Sequence, residues 1–133
     1  MLTHVVVWID HQEARVFHVR PETVGHVQPE PIDEATVLSP QHHIHRHPKA
    51  LGEAREHPED AMRFFHEVAR SLEGADTVLV VGPSSAKFEF LKYVQAHDQK
   101  LRAKVAGVET VDHPTDREIV AHARRYFKAS DRM

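Results

Sequence analysis

The chain has 133 residues, 41% apolar and 28% charged, which is enough for one domain with its own core and too few for two. No apolar run approaches the roughly 20 residues of a membrane-spanning helix, and the amino terminus MLTHVVVWID lacks the basic start and long apolar core of a secretion signal. There is no cysteine and the formal charge is −3, so a disulfide scaffold and a global basic field for nonspecific nucleic-acid binding are both excluded, and a cytoplasmic location is expected.

Val5, Val6, Val7, Trp8 and Ile9 form a β-branched and aromatic run that predicts a strand buried on both faces. Residues 10–13 are a polar turn. A second strand follows in a hairpin, with Ala14, Val16 and His18 on one side and Arg15, Phe17 and Val19 on the other. Pro21 ends it. Residues 23–28 and 35–38 predict weaker strands, separated by Pro29 and Pro31, residues that suit edges and turns.

From Pro58 the period becomes helical: Ala61, Phe64, Phe65, Val68, Ala69 and Leu72 share a face, and Gly74 is the expected stop. Residues 77–81 predict another buried strand, and Phe88, Leu91, Lys92 and Val94 mark a helix ending near His97. Residues 105–111 predict the last strand. Thr115 and Glu118 have capping-box spacing, ahead of a helix whose apolar face is Ile119, Val120, Ala123, Tyr126 and Phe127, with fraying expected after Lys128. Core packing is the expectation for the aromatic residues of these helices, Phe88 and Phe90 included. The order predicts a single α/β domain over residues 1–133, a mixed five-stranded sheet with an antiparallel beginning (βββαβαβα) and right-handed crossovers.

The segment QHHIHRHPKALGEAREH, residues 41–57, holds five of the thirteen histidines: His42, His43, His45, His47 and His57. Histidine binds metals, transfers protons near neutrality and changes charge between about pH 5 and 8, which makes this segment the expected seat of function. An extended backbone would put His43, His45 and His47 on one side, a pattern suited to zinc or nickel, with His57 or Glu53 completing the set. The same segment carries Arg46, Lys49 and Arg55, and imidazole and guanidinium planes can stack on unpaired bases while cations meet phosphates.

Three motifs resemble the middle domain of the archaeal and eukaryotic class 1 peptide chain release factors and their Pelota relatives: VVVWIDHQEARVF at residues 5–17, VLVVGPSSAKFEFL at 78–91 and KVAGVETVD at 104–112. In the release factors, the long loop before the first major helix carries a Gly-Gly-Gln motif that reaches the peptidyl-transferase centre. The corresponding segment here has Gly52 but no Gly-Gly-Gln, and the histidines stand in that region. The resemblance therefore implies a stand-alone, bacterial-type relative that binds the ribosome or tRNA through His42, His43, His45, Arg46, His47, Lys49 and Arg55, with Lys87 as a further contact. Peptidyl-tRNA hydrolysis is not expected, and no cofactor is required. Metal binding by His43, His45, His47 and His57 is the alternative.

Two further places carry residues suited to chemistry. Gly82-Pro83-Ser84-Ser85-Ala86-Lys87 joins a strand to a helix start, where backbone NH groups and a lysine could hold a phosphate; the spacing is not that of a P-loop, so Ser84 or Ser85 as a helix cap is the better account. Asp10 and Asp112 follow strands expected to flank the central one, which would suit a metal-dependent nuclease if a third acid joined them.

Overall fold

The structure is a computed structural model that describes residues 3–19, 36–39 and 58–131. Strands β1 (His4–Ile9) and β2 (Ala14–Val19) form the expected hairpin, and β3 (Thr36–Leu38) pairs antiparallel with β2. Helix α1 (Pro58–Ser71) precedes β4 (Thr77–Gly82), which lies parallel to β1. Helices α2 (Ala86–His97) and α3 (Gln99–Lys104) connect β4 to β5 (Val105–Thr110), parallel to β4, and α4 (Asp116–Asp131) completes the described fold. The sheet order is β3-β2-β1-β4-β5, a single mixed α/β domain.

Alternation along the strands divides the core into two layers. On one face Val5, Val7, Ile9, Ala14, Val16, Val78 and Val80 meet Phe64, Phe65, Val68 and Leu72 of the α1 region, Phe90 and Val94 of α2, and Leu101 of α3. On the other, Val6, Trp8, Phe17, Val19, Leu79 and Val81 meet Ile119, Val120, Ala123 and Phe127 of α4. Each such side chain contributes about 1.5–3 kcal/mol by leaving water, so β1 and β4, buried on both faces, are the strands the domain can least lose.

Gly74 ends the α1 region with φ of 91°, a left-handed conformation that suits glycine. Thr115 and Glu118 form the predicted reciprocal cap: the Thr115 N–H donates to Glu118 Oε1 at 2.8 Å and the Glu118 N–H to Thr115 Oγ1 at 3.2 Å. Three expectations need correction. Phe88 is 55% exposed, because the core-facing positions of α2 are Ala86, Lys87, Phe90 and Val94. Helix α4 continues past Lys128 to Asp131. The short α3, unexpected from the sequence, is capped by Asp98, whose Oδ1 accepts from the Leu101 N–H at 3.1 Å. The expected strand at residues 23–28 lies outside the described residues.

Candidate functional site

The parallel strands β1, β4 and β5 end at one rim of the sheet, and polar residues gather there. Asp10 follows β1 and closes the hairpin turn, its Oδ1 accepting the N–H groups of Gln12 (2.8 Å) and Glu13 (2.9 Å). Asp112 follows β5, and its backbone carbonyl accepts the indole N–H of Trp8 at 2.9 Å. His113 stands between the two acids, with Nδ1 3.1 Å from Asp112 Oδ1 and Nε2 4.0 Å from Asp10 Oδ2, its ring centroid 5.4 Å from that of Trp8. The two aspartates are thus brought to one place, but Asp10 has one carboxylate oxygen committed to its turn. Among the described residues no group of three or more histidine, aspartate and glutamate side chains is placed to hold a metal ion.

Beside this cluster, Arg15 on β2 reaches two carboxylates, with Nε 2.9 Å from Glu13 Oε2 and Nη1 3.0 Å from Asp116 Oδ1. The hydrogen bond to Glu13, helped by the negative charges of Glu13 and Asp116 and opposed by partial burial, holds the guanidinium above its ordinary value. It ties the hairpin to the first turn of α4. A second link from the hairpin turn runs to α2, where His11 lies 3.1 Å from Glu89.

The turn after β4 forms neither an open phosphate cradle nor a serine cap. Lys87 is 2% exposed; its Nζ donates to the Ser84 carbonyl at 2.6 Å and lies 4.6 Å from the Phe88 ring centroid. The ammonium is thus held inside the turn, and a phosphate of RNA or of a free anion could meet it only after that bond opened. Ser85 occupies the cap position of α2, but its hydroxyl donates to Glu89 Oε2 at 3.0 Å and accepts no helical N–H. Nothing in the sequence around Lys87 marks it as a core residue.

His42, His43, His45, Arg46, His47, Lys49, Arg55 and His57 lie outside the described residues. The flanks of their segment lie within them. Leu38, at the end of β3, pairs with Ala14, at the rim where Asp10 lies. Helix α1 runs back across the sheet: just beyond its end, Asp76 and Thr77 donate their N–H groups to Thr3 O at 2.8 and 3.2 Å, at the opposite rim. Fourteen residues of helix span about 21 Å, close to the length of a six-residue strand, so the first turn of α1 begins at the rim where β3 ends. The chain therefore leaves the described fold and re-enters it at the rim that carries Asp10, Asp112 and His113.

Against solved structures, the chain is similar to Pelota from Archaeoglobus fulgidus, with 20% identity and a TM-score of 0.61 over 92% of this chain and 31% of that one. It is similar also to Pelota from Thermoplasma acidophilum, with 14% identity and a TM-score of 0.57 over 98% of this chain and 39% of that one. An archaeal translation termination factor, aRF1, superposes with 12% identity and a TM-score of 0.49 over 97% of this chain and 40% of that one. No protein-family model and no curated protein matches the sequence. The chain thus has the fold of a Pelota domain and spans less than half the length of those proteins. No described helix is long and apolar enough to cross a membrane.

Proposed function

We propose that the chain is a translation-associated protein that binds the ribosome or tRNA through its histidine-rich segment, residues 41–57, without hydrolysing peptidyl-tRNA itself. One observation carries this reading: the Pelota-like fold extends over almost the whole chain, and the segment departs from and returns to a single rim of it. The three motifs behind the family resemblance support it, since they form the neighbouring elements β1-β2, β4-α2 and β5. Fixed positive charge on Arg46, Lys49 and Arg55 would meet phosphates, and the imidazoles of His42, His43, His45 and His47 would stack on unpaired bases. Each phosphate neutralised releases counterions, so binding by these cations weakens steeply with salt.

Ribosome co-sedimentation across a salt series tests the reading. Replacing Arg46, Lys49 and Arg55 by alanine should weaken binding and flatten its salt dependence; the same binding and slope in the triple variant would refute it.

The alternation of His43, His45 and His47 favours a second reading, zinc or nickel bound by these residues with His57. Its signature is one tightly held ion per chain, lost on replacing the three alternating histidines and lost in acid, where the ligands are protonated. Co-sedimentation indifferent to the basic residues, together with such an ion, would promote this reading over the first.

A further inference from the structure

We propose that the groove between α4 and the end of β5 is a binding site for a nucleoside monophosphate. The fold provides the location. From the end of β4 the chain turns to α2 on one face of the sheet, whereas from the end of β5 it turns to α4 on the other. Strands whose connections diverge in this way leave a crevice outside their carboxyl ends, where open α/β sheets take ligands. Here the crevice extends into a groove with about 500 Å³ of free volume, within the range of small-molecule sites. Helix α4 packs mainly over β1 and β2 and reaches β5 through two side chains, Tyr126 on the Ala106 carbonyl at 3.0 Å and His122 on Glu109 at 2.6 Å, so the groove opens beyond them at the end of β5.

The groove has a floor, a mouth and a wall, each of different chemistry. Val81, Val111 and Ile119 make the floor apolar. At the mouth, the His113 ring is backed by Trp8 on one side and by Asp112 and Asp10 on the other. On the wall, His122 is fixed by Glu109 at 2.6 Å, and Arg125, one turn below it, is exposed with no partner among the described residues. A flat ring fits against the valines with the imidazole at its edge, and an anion fits Arg125, whose planar fork suits phosphate. Glu118 keeps one carboxylate oxygen beyond the cap and Asp112 one beyond His113, and when ionised these oxygens accept hydrogen bonds of the kind an exocyclic amine and ribose hydroxyls donate. Ring, donors and a single anionic end together describe a nucleoside monophosphate. The residues named for this site all lie outside the 41–57 segment, so binding of a monophosphate and binding of the ribosome are separable.

Calorimetric and NMR titration of the full chain with AMP, GMP, CMP and UMP, beside inorganic phosphate and free adenosine, tests it. At least one monophosphate should bind more tightly than phosphate or adenosine, with the shifted amide resonances centred on His113, Ile119, His122 and Arg125. Arg125→Gln should weaken that monophosphate about tenfold and leave adenosine unchanged, the effect of one charge-assisted hydrogen bond. Val111→Trp, which fills the floor, should abolish binding; should that variant fail to fold, the exposed Arg125 substitution decides alone. The proposal is overturned if no monophosphate binds, if phosphate binds as tightly as the monophosphate, if the shifted resonances lie elsewhere, or if Arg125→Gln changes nothing.

Discussion

The indole of Trp8 donates to the carbonyl of Asp112 at 2.9 Å across 104 residues of sequence, so the end of β1 is joined directly to the loop that follows β5. Strand β4 lies between these two strands, and the bond passes over its end. Since Trp8 is 3% exposed, its N–H has no water to turn to, and the bond also fixes the loop that carries His113. Trp8→Phe removes the donor and part of the ring volume. Urea denaturation should show a loss of about 1–2 kcal/mol, and the His113 ring resonances should broaden or move as its loop loosens. Unchanged stability together with unchanged His113 resonances would show the bond to be incidental.

Gly82 is required by a close approach of two backbones. A Cβ added there would land on the carbonyl oxygen of Ile9, well inside contact distance, and Ile9 is a core residue of β1 that cannot move alone. Gly82→Ala should therefore cost about 2–3 kcal/mol or more, as an overpacked site does. A thermal midpoint equal to that of the parent chain would contradict the close approach.

Tyr93 has its hydroxyl pushed above the ordinary tyrosine value, mainly by burial and in smaller part by the charge of Asp98. Both causes favour the neutral phenol in the folded chain. The sign follows from linkage: this contribution is complete below the unfolded pKa, near 10, and is lost as pH rises through the higher folded value. Stability of the parent chain relative to Tyr93→Phe should thus decline on going from about pH 9 to above pH 11. Parallel stability curves for the two proteins over that interval would refute the assignment.

Peptide release is expected to be absent. The segment 41–57 holds one glycine, Gly52, and Gln41 at its start, and the glutamine-bearing motif of the resembled family does not occur in it. A histidine there could serve as a general base only if something positioned both it and the water. Release from ribosomal complexes well above the spontaneous rate, lost on removing residues 41–57, would reverse this expectation.

The strongly patterned elements were legible because their residues have few alternatives. Val5–Ile9 and Val78–Val81 are continuous apolar runs, suited only to strands covered on both sides, and Phe64, Phe65, Val68 and Leu72 repeat with the helical period. Helix α3 escaped because its six residues bury one side chain, Leu101, and so have no periodicity; Asp98, three residues ahead of Leu101, was the available signal. Lys87 and Phe88 exchange the places expected of them, the lysine in solvent and the phenylalanine in the core. The rotational phase of α2 puts the stem of Lys87 inside, where its ammonium finds the Ser84 carbonyl, and leaves the ring outside. At the rim, Asp10 and Asp112 follow the two parallel strands that flank β4, as the sequence predicts, but their link through His113 and the reach of Arg15 to Asp116 depend on contacts about a hundred residues apart, for which local pattern holds no information.

Because β3 ends, and α1 begins, at one rim, the connection between them has both its anchors on the same side of the sheet. The described parts of both core layers draw on residues on either side of it, and the entropic cost of closing a connection rises only slowly with its length, by roughly 0.6 kcal/mol per doubling. A change in the length of that connection therefore costs the sheet and its helices little in closure entropy. The domain is in this sense a socket, whose two contacts for that connection stand side by side on the rim that also carries Asp10, Asp112 and His113.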